Sequence, residues 1–425
     1  MTMKLRNRLI ALVCLILFLG LGAALFMSTT RRKPFAVILF VADNITPSSL
    51  TSARIFSAGG DARLQLEDLP NSALSRNAAK DYSVPDGASA STAIAGGKRV
   101  NRGSLCVDTG GAKLPSLLEL AAQQGRSTGL VTTGEITTTT SAAYFAKTLN
   151  AENRQELLQQ FCNHAPFDFV AGGGAQAFVA GPIDQKTGGT NPPVPPPIKQ
   201  LSDKNISVIR SMDELEKQPF WKKSPVLALI APGPIPSSLG EGNPDSPSLS
   251  DLVRVAIRNL QANRHGYLLV VDDPMIGAAA AVNDGETMFG RILSLDQAIA
   301  TARRYAGDNA LILLSGRENI GGLQLNGYPL LRDKGVAILA LNNQGYPSLC
   351  WSTGPGFSME KNADQAHSKK ANQPSGILSQ PSAHSLPYAV DTAGDVLSLG
   401  IGQGSEKLHG FLDLTDIHSI IKEGL

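Results

Sequence analysis

The residues with chemical potential lie in one dense stretch, Tyr82 to Asp108, and at a few isolated carboxylates and hydroxyls elsewhere. Val84-Pro85-Asp86-Gly87 has the composition of a turn, because proline fixes φ and glycine tolerates conformations that other residues avoid. Small side chains follow from Ala88 to Ala95 at a spacing compatible with a helix. Such a helix admits other backbones closely, and its first turn offers unpaired N–H groups to an anion. Asp86 suits an N-cap. Four cysteines (Cys14, Cys106, Cys162 and Cys350) fall in no CxxC or Cys/His zinc spacing and are too few for a disulfide framework. One bridge among the last three remains open. His164, His265, His367, His384, His409 and His418 are scattered.

Positioning such groups requires a scaffold, and its pattern is regular. Short apolar runs (Phe35–Val41, Gly129–Thr133, Phe167–Ala171, Val226–Ala231, Tyr267–Val271, Ala310–Leu314 and Val336–Leu341) alternate with helix-like segments at Ser116–Gln124, Leu252–Ala262 and Leu293–Tyr305. Runs apolar on both faces are typical of buried parallel strands. The alternation predicts an α/β three-layer sandwich, with a mostly parallel central sheet covered by helices on both faces. Ligands in such sheets sit beyond the carboxyl ends of the strands. Asp43, Thr132 and Thr133, Asp272, and Ser315 to Glu318 all fall at or just past a strand end.

The chain has 425 residues, of which 42% are hydrophobic, enough to bury a large core. Its net charge of +2 gives no footprint for nucleic acid. Residues 1–33 are expected to form a membrane anchor or a signal segment. Lys4, Arg6 and Arg8 precede an uncharged run from Leu9 to Met27, close to the ~20 residues that span a bilayer. Gly22 and Ala24 offer the alternative of a cleavage site. Basic residues flank the run on both sides and do not orient it. Residues 34–425 are expected to form a single domain, with loop insertions near 188–197, 232–248 and 361–387 that are rich in Pro, Ser, Gly and Asn.

Several of these stretches together resemble the alkaline phosphatase family. Its nucleophile segment, roughly V-(P/T)-D-S-A-(A/G)-(S/T)-(A/G)-T-A followed by G-x-L-x-V-D, matches Asp86, Ala88, Thr92, Ala93, Gly97, Gly103, Leu105, Val107 and Asp108 without a gap. Ser116 to Ala121 with Ser127 to Thr133, Asp168 with Gly172 to Gly174, and Pro247 to Asp251 resemble further family segments in the same order. The resemblance implies an extracytoplasmic phosphomonoesterase that uses two zinc ions, a magnesium ion, a serine and an arginine. It also implies a homodimer.

Residue by residue, the chain departs from that machinery. Gly87 stands at the serine and Ala151 at the arginine, with Arg154 out of register. Asp43 is kept at the bridging aspartate, Thr140 at the magnesium-site threonine, and Asp272 replaces a glutamate. Gly277 and Ala281 fall on a zinc-ligand D-x-x-x-H, Arg317 and Glu318 on an Asp-His pair, and Asp391 on the last histidine. The expectation is therefore no catalytic residue, no zinc, and at most residual magnesium at Asp43, Thr140, Asp272 and Asp391. Ser89 is read as a small packing residue. Arg317 is expected to stand in for a metal ion by pairing with Asp43 or Asp391, since stranded buried carboxylates cost several kcal/mol. The reading is a membrane-tethered, inactive scaffold or binding protein. Its alternative is an active metal-dependent phosphate monoester hydrolase with a rearranged carboxylate and hydroxyl site.

Overall fold

A computed structural model of the chain describes residues 3–30, 35–164, 167–180, 196–219, 224–236, 246–326, 338–339, 346–358 and 379–425. The eight strands β1 to β8 are Ala36–Ala42, Asn71–Arg76, Ser127–Glu135, Phe169–Gly173, Ser207–Ile209, Val226–Leu229, Tyr267–Asp273 and Ala310–Gly316. Five short strands (β9 Gln324–Leu325, β10 Leu349–Gly354, β11 Phe357–Ser358, β12 Ser379–Gln380 and β13 Ser382–Ser385) pair among themselves in two small sheets. Two more, β14 Val396–Ile401 and β15 Phe411–Asp413, return to the main sheet.

The main sheet has ten strands in the order β15-β2-β14-β8-β1-β7-β3-β4-β6-β5. All its pairings are parallel except those that β14 makes with β2 and β8. Strand β1, every residue of which is buried, lies between β7 and β8 at the centre. Its two faces feed two cores, as strand alternation requires. Ile38 and Phe40 pack with the helices Leu249–Leu260 and Gly285–Ala306. Val37, Leu39 and Val41 pack with the helices Gly87–Gly96, Leu117–Gln123 and Leu414–Gly424. Each fully buried Leu, Ile or Val contributes about 1.5–3 kcal/mol. The layered sheet is thus the predicted one.

Six of the seven apolar runs became strands. The seventh, Val336–Leu341, falls largely outside the described residues, as does most of the insertions near 188–197 and 361–387 and the middle of 232–248. The three helix expectations hold with shifted ends. Leu293–Tyr305 grows to Gly285–Ala306, because Asp284 caps it earlier by accepting from Thr287 N. Cys106, Cys162 and Cys350 are all free thiols, so no bridge joins them.

The N-terminal segment is a helix, Met3–Thr30. Among the described residues no helix is long and apolar enough to cross a membrane, so the expected span finds no support. Leu9, Ile10, Phe18 and Leu21 on it are exposed.

Candidate functional site

Register brings the site together. In the sheet, Val41 of β1 pairs with Asp272 of β7, and Ala42 pairs with Gly316 of β8. The three carboxyl ends therefore stop side by side, which places Asp43, Asp272, Arg317 and Glu318 in one crevice. The backbone just past the strands is tied down. Asn44, in the left-handed region at φ 56°, donates from its backbone N to Glu318 O at 2.7 Å and from Nδ2 to Ile320 O at 2.7 Å. Arg317 N donates to Ala42 O at 3.0 Å.

Arg317 is the centre. Its side chain is 0% exposed, its Nε donates to Asp43 Oδ1 at 2.8 Å, and its Nη1 donates to Asp272 Oδ1 at 2.7 Å. Among the described residues, buried Nη2 has no hydrogen-bond partner. The other Asp272 oxygen, Oδ2, accepts from Thr140 Oγ1 and Ser141 Oγ, both at 2.8 Å. Glu318 Oε2 lies 4.0 Å from Arg317 Nε. Burial works against the guanidinium's charge, but the carboxylates of Asp43 and Asp272 outweigh it and hold its pKa well above the ordinary value. One cation facing several acids leaves an excess of negative charge. Burial pushes Asp43 up, with Arg317 opposing. Burial, then Asp43 and Asp391, push Glu318 well up.

The helix Gly87–Gly96 aims its first turn at the same crevice. Asp86 is its N-cap, with Oδ1 accepting from Ser89 N at 2.8 Å and Oδ2 from Gly103 N at 2.6 Å. Ser89 completes a capping box by accepting from Asp86 N at 3.1 Å, so it is a cap partner and not merely a packing residue. A Cβ built on Gly87 would stand 3.3 Å from Glu318 Oε2 and 3.4 Å from Thr140 Cγ2. Glu318 thus borders the space in front of the helix where a side chain at 87 would project.

The remaining sequence candidates divide. Asp391 is joined to the crevice by a β-bridge to Ile320, and its carboxylate is 3.8 Å from Arg102, not on Arg317. Burial and then Asp43, against Arg102, push it up to about 6. The expected Arg317 pairing is therefore corrected in one partner: the second carboxylate is Asp272, because β7 and not the 391 loop adjoins β1. Ala151 is buried, with its N donating to Gly103 O at 2.8 Å, while Arg154 pairs with Glu135 at 2.9 Å. Gly277 is buried against Asp43, and a Cβ there would lie 2.4 Å from Asp43 Oδ2. His418 is far from this chemistry, with Nδ1 on Ile94 O at 3.1 Å. Sequence reasoning missed Ser141 and the role of Glu318. The hydroxyl run Thr137 to Ser141 was the available signal for the first.

These residues do not fit a zinc or magnesium ion. A guanidinium already bonds both central carboxylates, and among the described residues the surroundings offer no imidazole, the ligand zinc prefers. The Gly277 position holds no ligand, and Asp43 has settled against its Cα. Among the described residues, no group of three or more His, Cys, Asp or Glu is disposed to hold a metal ion. A cavity of about 530 Å³ lies at the other end of the sheet, lined by Asp68, Arg303, Ala310 and Gly402. It is remote from the strand ends on which the chemistry converges.

The architecture is that of α/β proteins that work at the carboxyl ends of a mostly parallel sheet, with a helix N-terminus facing the crevice. The alkaline phosphatase family model matches residues 35–425, and the chain belongs to that family. Alkaline phosphatase 4 of Bacillus subtilis is 27% identical over 368 residues, covering 80% of this chain and 76% of that one. Alkaline phosphatase of Gadus morhua is 25% identical over 440 residues, covering 92% and 91%. Two solved alkaline phosphatases share the fold: that of Thermus thermophilus at TM-score 0.71 and 20% identity, covering 93% of this chain and 92% of that one, and that of the Antarctic bacterium TAB5 at 0.69 and 19%, covering 92% and 98%.

Proposed function

We propose that this protein keeps the alkaline phosphatase architecture as a binding or scaffolding protein and does not turn over phosphate monoesters. One observation carries the reading: the Glu318 carboxylate lies against the backbone of Gly87, the position at the head of the helix that would have to supply a nucleophile. Glycine has no group to attack phosphorus. Phosphoryl transfer depends on positioned positive charge around the transferring group. Here the one cation at the centre, Arg317, has two of its nitrogens committed to Asp43 and Asp272. Thr140 and Ser141 donate to Asp272, which leaves neither hydroxyl beside a free base.

The mouth supports a binding role. Tyr82, Tyr388 and Val390 are exposed there, and Arg102 joins them by standing 5.8 Å over the Tyr82 ring and 3.8 Å from Asp391. Exposed aromatics beside an arginine are the residues that anchor protein interfaces. The protein is proposed to act outside the cytoplasm, as its family membership suggests.

The test is turnover of p-nitrophenyl phosphate by the purified chain with added zinc and magnesium, beside Asp43→Ala. The expected result is the buffer rate for both proteins. Turnover above buffer that vanishes in Asp43→Ala would establish the rearranged hydrolase instead.

A further inference from the structure

The end of the sheet opposite the crevice has a chemistry of its own. Helix Gly285–Ala306 stops at Gly307, in the left-handed region at φ 73°, and the chain enters β8 at Ala310. Ala310 and Ile312, two positions apart on β8, share the face that this helix covers. Strand β14 sets Ile401 opposite Ile312. These apolar side chains floor the cavity of about 530 Å³, a volume inside the range of about 300–1,000 Å³ typical of small-molecule sites. One wall is the end of the helix, where Ala300, Arg303 and Arg304 share a face by their three- and four-residue spacing. The other wall is the short helical turn Gln65–Asp68, held to the same helix by Leu66 N donating to Asp296 Oδ1 at 2.7 Å. A Cβ on Gly307 would meet nothing within 4 Å, so the cavity is open there.

The charges around this cavity do not cancel. Asp68 Oδ1 is taken by Arg63 Nη2 at 2.5 Å, from a residue that does not line the cavity. Arg303 is half-buried and Arg304 is exposed, with its guanidinium 5.8 Å from the centroid of the Tyr305 ring. Among the described residues neither guanidinium makes an ion pair or a hydrogen bond, whereas the half-buried Arg54, Arg154, Arg254 and Arg258 each meet a glutamate. Two guanidinia thus face a single unpaired carboxylate, Asp308, across an apolar floor. We propose that the cavity binds a small soluble organic anion, its carboxylate or phosphate head on Arg303 and Arg304 and its apolar body on Ala310, Ile312 and Ile401. The planar fork of a guanidinium matches such a head, and the floor supplies apolar area for the body. The site lies where β8 begins and the crevice lies where β8 ends, so its occupancy does not depend on whether the protein hydrolyses anything.

The experiment is isothermal titration of the full chain with octanoate, acetate and octylammonium at neutral pH. The wild type is expected to bind octanoate saturably at one site, to bind acetate at least about tenfold more weakly for want of an apolar body, and to ignore octylammonium. Arg303→Gln/Arg304→Gln is expected to weaken octanoate by about tenfold or more, and Arg303→Lys/Arg304→Lys by less, since the charge is kept. Arg76→Gln/Arg264→Gln removes the same charge from exposed positions elsewhere and is expected to leave octanoate binding unchanged. Thermal melts of each variant check that the fold is intact. Octanoate that does not saturate the wild type overturns the proposal, as does affinity that survives Arg303→Gln/Arg304→Gln or falls equally in Arg76→Gln/Arg264→Gln. Octylammonium binding as tightly as octanoate overturns the anionic head, and acetate binding as tightly overturns the apolar body.

Discussion

Strand β7 ends in two consecutive aspartates that point to opposite faces of the sheet and meet different arginines. On one face, Asp273 accepts from Thr133 Oγ1 at 2.6 Å and Met275 N at 3.2 Å, and the charge of Arg291 acts on it from the helix Gly285–Ala306. On the other, Asp272 meets Arg317, Thr140 and Ser141. The first arrangement ties β7 to β3 and to the start of the helix Met275–Ala281, with donors from two elements. In the second, Arg317 is shared between two carboxylates and keeps one buried nitrogen without a partner. Buried polar groups in a structural tie are generally satisfied. The two faces thus differ in what holds the aspartate: two hydrogen-bond donors and a nearby charge on one, a shared guanidinium and two hydroxyls on the other.

The sharpest way to break this comparison is to remove each arginine. Arg317→Met strands Asp43 and Asp272 together and is expected to cost about 3–5 kcal/mol in urea unfolding. Arg291→Met leaves Asp273 with its hydroxyl and backbone donors and is expected to cost less, about 1–3 kcal/mol. Equal costs would remove the distinction between the two faces. A smaller effect tests the closure of the pocket: Gly277→Ala sets a methyl against Asp43 and is expected to cost about 1–3 kcal/mol of overpacking, read from the same unfolding curves. A neutral Gly277→Ala would mean that Asp43 is free to move away.

The smallest effect lies outside both faces and serves as their control. Burial holds His418 below its ordinary value of 6.5, with the bond to Ile94 O opposing and Lys422 adding to the shift. The unfolded chain therefore takes up the proton first as pH falls. The His418 contribution is complete above about pH 6.5 and is lost below it. Thermal melts between pH 7.5 and pH 5, on the order of the histidine titration range, should show this loss, and His418→Gln should reduce it.

Much of the scaffold was legible in the sequence because the determinants are local. An apolar run such as Ala36–Ala42 must be buried on both faces, and Ser116 with Glu119 writes a capping box into adjacent residues. The antiparallel strand β14 was not legible, since its pairing with β2 joins residues more than 300 positions apart. Within the site, the vacated positions Gly87, Ala151 and Gly277 could be read one by one against the family pattern. Which carboxylates Arg317 would choose could not, because that choice is made by sheet order. Asp272 reaches it through β7, the neighbour of β1, whereas Asp391 lies on a loop with Arg102 for company.

The glycines at 87 and 277 carry a consequence for how this chain can change. Each adjoins an acid: Asp43 stands in the space a side chain at 277 would need, and Glu318 touches that at 87. A side chain added at 277 would collide with Asp43, one added at 87 would press on Glu318, and moving either acid would disturb the charge around Arg317. At 277 a new side chain and a new position for Asp43 therefore have to arrive together, so the two residues behave as one unit of change.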